Sequence, residues 1–273
     1  MPELPEVETI RRSLEPIVVN HTLIGVEIRE NRLRIPVNTV QFGHLLGRTI
    51  ITLQRRAKYL VWHFDNQASL VIHLGMSGRL GINKSGQLAD KHIHIIFFLD
   101  NGVELFYRDP RRFGLVQAIA PDELDGYSRF RHLGPEPFDT EFDLDYLQQK
   151  LKSSKKPIKN WLMDATMVVG IGNIYANEIL FKSGIHPLRL GKTIRKREQE
   201  RLFSGIRSIL SAAMEKGGTT LNDFSNANGE PGFFQYDVSV YQREGQACPT
   251  CGSKIKKIVL GGRSTFYCPR CQG

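Results

Sequence analysis

Cysteine is missing from the first 247 residues of this 273-residue chain, and all four cysteines lie in the last 26 residues. A disulfide framework would spread its cysteines along the chain, so we exclude that class of protein. Long apolar runs are also missing, since a run such as IIFFL at 95–99 is far too short to span a bilayer. The N-terminus is acidic and lacks the long apolar stretch of a secretory signal. We therefore expect a cytoplasmic protein that is not inserted in a membrane.

Acidic residues are too few to balance the basic ones: 37 Lys and Arg stand against 28 Asp and Glu, which gives a net charge of +9. Such a balance favours a polyanionic partner, with nucleic acid slightly ahead of an anionic membrane surface, although many soluble proteins are mildly basic. The apolar fraction of 41% is enough to bury a core, so we expect a globular protein of one large or two ordinary domains.

The periodicity of apolar residues changes three times along the chain. Residues 5–18 have the three- and four-residue spacing of an amphipathic helix. From about 23 to 120, seven short β-like runs alternate with Gly, Asn and Asp, which predicts an antiparallel sandwich or barrel with the helix packed on it. After a stiff connector, RHLGPEPF at 131–138, helical patterns predict a DNA-binding helical module or a plain helical bundle. The tail from 238 returns to β-like runs.

Two Cys-x-x-Cys pairs stand in that tail, CPTC at 248–251 and CPRC at 268–271. Their spacing, with a strand, Gly-Gly turn and strand between them, predicts that Cys248, Cys251, Cys268 and Cys271 hold one structural Zn²⁺ in a ribbon. Redox Cys-x-x-Cys motifs normally stand before a helix in an α/β unit, and the sequence pattern contains no such unit. The ribbon has five basic residues and no acidic one, which favours contact with phosphate over a merely solvated basic face.

Three further segments are candidates for phosphate or base contact. KSSKKPIKN at 152–160 is a lysine cluster, and GIGNIYANE at 170–178 is a Gly-rich turn in which Asn173 can cap a helix. YRDPRRFG at 107–114 places Phe113 among arginines, where it suits insertion between bases or, equally, packing in the following strand. Met76, in a similar turn, would by itself more often be a packing residue.

Seven motifs, in order from the first residue almost to the last, make the chain resemble the bacterial formamidopyrimidine-DNA glycosylase family (8-oxoguanine DNA glycosylase). They are MPELPEVET at 1–9, RRAKYL at 55–60, HLGMSG at 73–78, DPRRFG at 109–114, LGPEP at 133–137, GIGNIYANE at 170–178 and GRSTFYCPRCQ at 262–272. They distinguish the chain from the sister endonuclease VIII branch, which favours oxidised pyrimidines and typically begins with a different sequence.

The resemblance implies an α+β fold in three parts: an N-terminal β-sandwich domain with a leading helix (1–132), a helical helix–two-turn–helix domain (133–237) and a zinc finger (238–273). It also implies a bifunctional glycosylase and abasic-site lyase that excises oxidised purines through a Schiff base, followed by β,δ-elimination. We expect a monomer that binds double-stranded DNA with oxidised bases or abasic sites in the cleft between the domains.

The resemblance also assigns catalytic roles. Pro2 is expected to be the nucleophile once Met1 is removed, with Glu3 as the catalytic acid and Glu6 near the lesion. Lys58 is the expected proton donor for β-elimination, and Arg263 for δ-elimination. A free α-amine has a pKa near 8, against about 10 for lysine, so more of it is unprotonated at neutral pH.

The remaining expected roles concern the grip on DNA. Met76, Arg111 and Phe113 correspond to the residues that fill the void left by the everted base, which moves Phe113 towards insertion. The candidate DNA-backbone contacts are His73, His92, Arg111, Lys155, Lys156, Asn173 and Arg263. GGTTLNDF at 217–224, with the loop that follows, resembles the segment that closes over the everted base.

One position departs from the family pattern. The family usually reads Lys-His-Asp-His where this chain has KHIH at 91–94, so Ile93 removes a carboxylate beside His92. We expect His92 to keep its role but leave its orientation open. His44, His63, His132 and His186 are expected to be structural or surface residues. Two rival hypotheses are a zinc-containing DNA-binding protein without catalysis and an enzyme of the endonuclease VIII type.

Overall fold

The structure is a computed structural model that describes residues 1–83, 88–220 and 225–273. The chain forms two compact units, one of Met1–Arg131 with Lys216–Phe233 and one of His132–Glu215 with Phe234–Gly273. Within the described residues, the regular elements of the first unit are α1 (Leu4–Val18), β1 (Thr22–Ile28), β2 (Arg48–Arg56), β3 (Tyr59–Phe64), β4 (Ser69–His73), β5 (Arg79–Ile82), β6 (Ile93–Leu99), β7 (Glu104–Arg108), β8 (Leu115–Ile119) and a 3₁₀ turn, Val40–His44.

Helix α1 begins where its sequence predicts. Pro5 stands in the first turn, where a missing N–H costs nothing, and the backbone N–H of Glu3 donates to the Glu6 carboxylate at 2.8 Å. The apolar stripe predicted from the spacing is buried against the sheet, with Val7, Ile10 and Leu14 at most 1% exposed. The helix thereby fixes the position of the N-terminus on the sandwich.

The strands form an antiparallel sandwich and not a closed barrel. Their order is β5-β7-β6-β1-β2-β3-β4-β8, and β1 meets β2 only at Thr22–Thr49 and Leu23–Arg48. This narrow junction divides the strands into two layers of four. Trp62 of β3 and Phe97 of β6 face each other across the layers, with ring centroids 5.5 Å apart, in the main apolar core. The predicted fold class is therefore confirmed.

Strand β5 is absent from the predicted runs. It has only four residues, and Gly81 interrupts its apolar pattern. A Cβ at Gly81 would lie 2.8 Å from the Cζ atom of Phe106 on the paired strand β7, so the phenyl ring occupies the space of a side chain. The residue that compensates for Gly81 is therefore Phe106 on β7, and the sequence of β5 alone does not indicate a strand.

The second unit combines helices with the cysteine hairpin. Within the described residues, its elements are α2 (Leu144–Lys152), α3 (Ile158–Leu162), α4 (Asn173–Ser183), α5 (Lys196–Glu215), β9 (Lys256–Leu260), β10 (Arg263–Tyr267) and 3₁₀ turns at Gly191–Thr193 and Phe234–Asp237. Gly261 and Gly262 form the hairpin turn, both with positive φ, as the Gly-Gly signal predicts. In the part of the chain that the structure describes, no helix is long and apolar enough to cross a membrane.

The predicted domains are 1–132, 133–237 and 238–273, and this division remains a prediction. The compact units place two segments, 216–233 and the cysteine hairpin, in a different grouping. Residues 216–233 belong with the N-terminal unit, where the Ala227 N–H donates to Ser13 Oγ at 3.2 Å and the Ile82 N–H donates to the Ala227 carbonyl at 3.0 Å. The hairpin segment belongs with the helices, because the buried Glu178 carboxylate of α4 accepts the backbone N–H groups of residues 239–241.

Candidate active site and nucleic-acid interface

The amino end of the chain lies among charged side chains of the first unit. Burial lowers the pKa of the Met1 α-amino group below its usual 8.0; Glu3 and Glu6 oppose this shift, while Lys58 and Arg111 reinforce it. The Pro2 nitrogen is an amide here, because Met1 precedes it. The environment favours a neutral amine at this end of the chain.

Glu6 fastens a distant segment to the start of α1. Its buried carboxylate accepts the Glu3 N–H at 2.8 Å and the Thr219 N–H at 2.7 Å. Gly218 has φ of +80°, and a Cβ there would lie 2.8 Å from Glu6 Oε1. Residues 217–220 of the predicted covering segment therefore lie at the helix start, and residues 221–224 lie outside the described part of the chain.

Two loops of the sandwich, 73–78 and 109–114, are held together by Asp109. Its fully buried carboxylate accepts Ser77 Oγ at 2.6 Å and the Gly114 N–H at 2.8 Å. The loops touch backbone to backbone, since a Cβ at Gly75 would lie 2.5 Å from the Phe113 carbonyl carbon. Sequence reasoning missed Asp109 and Ser77 as organising residues. An acid at the start of a tight turn that ends in Gly was the available signal.

These loops expose all three predicted void-filling residues. Met76 is 47% and Phe113 is 44% exposed, and the Arg111 guanidinium lies 4.6 Å from the centroid of the Phe113 ring. Phe113 precedes β8 and is not one of its core residues, so the packing alternative is wrong. Its insertion between bases stays a prediction.

His73 lies on the same loop pair as a neutral imidazole. Burial lowers its pKa to about 4, and the nearby charge of Lys58 adds to the shift. Its Nδ1 accepts the Gly75 N–H at 2.9 Å, which leaves the proton on Nε2. Any contact of His73 with phosphate would therefore be a neutral N–H donation and not an ion pair.

Ile93, where the family usually has an acid, stands at the start of β6 and is only 6% exposed. His92 just before it is half-buried, and its carbonyl accepts the Asp109 N–H at 2.9 Å. With Ile93 in place of the acid, the His92 backbone still forms a hydrogen bond to the loop 109–114 that includes Phe113.

In the second unit, Lys159 is a structural residue. Its fully buried ammonium donates to Asn173 Oδ1 and Thr265 Oγ1, both at 2.6 Å, and to the Ser264 carbonyl at 3.2 Å. The sequence left open which lysine of the cluster contacts DNA, and Lys159 instead joins α3 to α4 and β10. Its place in the mostly apolar run IKNWL was the overlooked signal.

The other predicted contacts of this unit fall on its surface or beside that junction. Lys155 and Lys156 are both exposed, and Lys156 forms an ion pair with Asp164. Asn173 is the first residue of α4 and does not cap it, because its amide donates to the Ser264 carbonyl at 3.0 Å. Arg263 is exposed at the start of β10, next to the Gly-Gly turn.

The four cysteines converge on one point. Their sulfur atoms lie within 4.8 Å of one another, with Cys248–Cys271 at 3.9 Å and Cys251–Cys268 at 3.4 Å. Tetrahedral Zn²⁺ with Zn–S bonds of about 2.3 Å needs sulfur atoms about 3.8 Å apart. The thiol set therefore fits a single structural zinc ion, held between the hairpin and its flanking turns.

Comparison with known proteins agrees with this geometry along the chain. The family model for the formamidopyrimidine-DNA glycosylase N-terminal domain matches residues 1–116, the model for that enzyme's H2TH domain matches 133–225, and a model for the zinc finger found in FPG and IleRS matches 245–273. The chain belongs to the formamidopyrimidine-DNA glycosylase family.

Relatives cover the whole of this family member. Formamidopyrimidine-DNA glycosylases of Rickettsia africae and Salmonella arizonae are 45% and 46% identical to it over 272 residues, covering 100% of the chain and 99% and 100% of the relatives. The solved MutM (Fpg) of Thermus thermophilus has a TM-score of 0.89 at 36% identity, covering 100% of this chain and 99% of that one. Lactococcus lactis Fpg in complex with abasic-site DNA has a TM-score of 0.92 at 35% identity, covering 99% of each chain.

Proposed function

We propose that this family member excises oxidised purines, including 8-oxoguanine and formamidopyrimidines, from double-stranded DNA and then cleaves the strand as an abasic-site lyase. The observation that carries the proposal is the placement of the chain's amine in a partly buried site with Glu3, Glu6, Lys58 and Arg111. A lowered amine pKa leaves more of the group unprotonated at neutral pH, which is the state that attacks carbon.

Removal of Met1 would transfer the amine to Pro2, one residue nearer to Glu3. Its nitrogen then forms a bond to C1′ of the damaged nucleoside, and the bond from C1′ to the base breaks with its electron pair going to the base. The leaving base takes up a proton, for which Glu3 is the proposed donor. The Pro2 nitrogen then loses its proton, and the bond from C1′ to the ring oxygen O4′ breaks with its electron pair going to O4′, which takes up a proton. The product is an iminium ion between Pro2 and the opened sugar.

The iminium ion is an electron sink and acidifies the C2′ proton. Loss of that proton expels the 3′ phosphate in β-elimination, and a second elimination expels the 5′ phosphate, leaving a one-nucleotide gap. Lys58 is the proposed proton donor in the first elimination, and Arg263 in the second. The charge of Lys58 already acts on the terminal amine, which supports its part of the assignment.

The grip on DNA is assigned to both units. Met76, Arg111 and Phe113, exposed on the two loops held by Asp109, would fill the void left by the everted base. The other proposed phosphate contacts are His73, His92, Lys155, Lys156 and Arg263, of which the last three are exposed. Asn173 would take part through the junction that it shares with Lys159 and β10.

A rate comparison tests the substrate assignment. Duplexes with 8-oxoguanine opposite cytosine and with thymine glycol are cleaved under single-turnover conditions at saturating enzyme. We expect the 8-oxoguanine duplex to be cleaved faster. A strong preference for thymine glycol would move the protein to the endonuclease VIII type of specificity.

A further inference from the structure

Asp90 lies just ahead of β6 and makes two side-chain contacts. Its Oδ1 accepts the backbone N–H of His92 at 2.8 Å, and its Oδ2 accepts the Nε–H of Arg108 at 2.5 Å. Arg108, on β7, pairs with Ile93 in the ladder. The hydrogen bond and charge of Arg108 hold the pKa of the Asp90 carboxyl below its usual value, so the carboxylate stays charged at neutral pH.

The contacts of Asp90 continue into the loop that exposes Arg111 and Phe113. The His92 carbonyl accepts the Asp109 N–H at 2.9 Å, and the Asp109 carboxylate holds Ser77 and Gly114. Hydrogen bonds therefore run from Asp90 through the backbone of His92 to Asp109. A shift of the His92 backbone would move both the His92 ring and the start of this loop.

Ile93, which follows His92 in the sequence, cannot hold His92 by a side-chain hydrogen bond as Asp90 does. Ile93 is apolar and buried, so its side chain cannot orient His92 by hydrogen bonding. We propose that Asp90 is a positioning residue for DNA binding, which fixes the backbone of His92 and, through it, the loop 109–114. The proposed phosphate contact of His92 underlies this inference.

A role of Asp90 through its charge and a role through the positioning of His92 predict opposite effects of its removal on DNA binding. A carboxylate close to a bound phosphate repels it, so if Asp90 acted by charge alone its removal would tighten DNA binding. If Asp90 positions His92, its removal weakens binding despite the loss of one negative charge. The sign of the change in Kd therefore separates the two.

The experiment measures Kd for a duplex that carries a tetrahydrofuran analogue of an abasic site, which the lyase cannot cleave. We expect Asp90→Ala to raise Kd about tenfold, the scale of one lost hydrogen bond to a charged group. Asp90→Asn keeps an oxygen for the His92 N–H and should bind within about twofold of wild type. Asp100→Ala is the matched control, because it removes a carboxylate at the other end of β6, where Asp100 bonds His21. It should not raise Kd.

A double-mutant cycle completes the test. In a His92→Ala background, Asp90→Ala should raise Kd by about threefold or less. Only the part of its effect on Kd that is transmitted through the loop 109–114 then remains. Asp90→Leu, which also lacks an acceptor, replaces Asp90→Ala should the latter not fold.

Four results would overturn the proposal. They are an Asp90→Ala variant that binds as tightly as wild type or more tightly, an Asp90→Asn variant that loses as much as Asp90→Ala, a full tenfold loss that persists without the His92 ring, and a His92→Ala variant with unchanged Kd. Borohydride trapping tests the Pro2 mechanism separately, so the positioning role and the proposed catalysis can each fail alone.

Discussion

At the scale of single residues, burial changes what the polar groups of the first unit can do. His73 is a neutral hydrogen-bond donor because its surroundings disfavour the imidazolium. Glu6 links two segments because its carboxylate accepts hydrogen bonds from a backbone N–H group of each. The resemblance placed both residues near the DNA. The structure adds that Glu6 also holds the segment 217–220 at the start of α1.

The half-buried His73 should make stability depend on pH. Its pKa of about 4 lies below the unfolded value of about 6.5, so the unfolded chain binds the extra proton first as the pH falls. The contribution of His73 is therefore fully present above pH 6.5 and is lost between pH 6.5 and about 4, by about 3 kcal/mol at full effect. Urea unfolding of wild type and His73→Asn across this range measures the contribution.

Asparagine is the chosen substitute because its Oδ1 can still accept the Gly75 N–H without titrating. The His73→Asn variant should lose less stability on acidification than wild type. His132→Asn, which removes an exposed histidine, is the control and should follow wild type. Identical acid profiles for wild type and His73→Asn would contradict the assignment of His73 as a neutral group in the folded protein.

At the scale of elements, the contact between loops 73–78 and 109–114 decides where Met76 and Phe113 are displayed. Gly75→Ala would place a methyl group against the Phe113 backbone at a residue with φ of +61°. We expect it to lower the free energy of unfolding by at least about 2 kcal/mol more than its control, through overpacking. It should also weaken binding to lesion DNA.

The control is Gly102→Ala in the β6–β7 turn. Gly102 has φ of +79°, but a Cβ added there would have nothing within 4 Å, so this variant reports backbone strain alone. Urea unfolding gives both free energies. Equal losses in the two variants would mean that the two loops separate at little cost and that their contact does not set the display of Phe113.

The zinc ribbon is the element whose folding should depend most on its ligand. Its apolar cluster is small, so metal binding must supply much of its folding free energy. Chelation, or Cys268→Ser, should abolish DNA binding while the thermal transition of the sandwich remains. Gln246→Ala, at an exposed position of the same segment outside the thiol set, should keep zinc and affinity. Retained affinity after zinc loss verified by metal analysis would contradict this account.

The elements also mark what the sequence could predict. Apolar periodicity located α1, α2, α5 and seven of the strands, because each of these segments contains its own signal. Strand β5 and the burial of Lys159 depend on residues distant in sequence: Phe106 for the strand, and Asn173 and Thr265 for the lysine. The motif order pointed to the site residues, but the central place of Asp109 depends on contacts between two separate loops.

At the scale of the whole molecule, the net charge of +9 is borne by a chain whose first residues are acidic. In the proposed function the basic surfaces of both units hold the DNA backbone, and the acidic N-terminus acts on one sugar. Pro2 and Glu3 precede α1, and the helix serves to keep them in place on the sandwich.

The most direct test of the Pro2 mechanism is borohydride trapping followed by mass spectrometry. Borohydride is added while the protein acts on a duplex with 8-oxoguanine, and the covalent complex is digested with trypsin. We expect the DNA remnant on the N-terminal peptide that begins with Pro2 and ends at Arg11, with Met1 removed. A protein with an added residue ahead of Pro2 should bind the duplex without being trapped. An adduct on Lys58, or no adduct while the DNA is bound, would contradict the account.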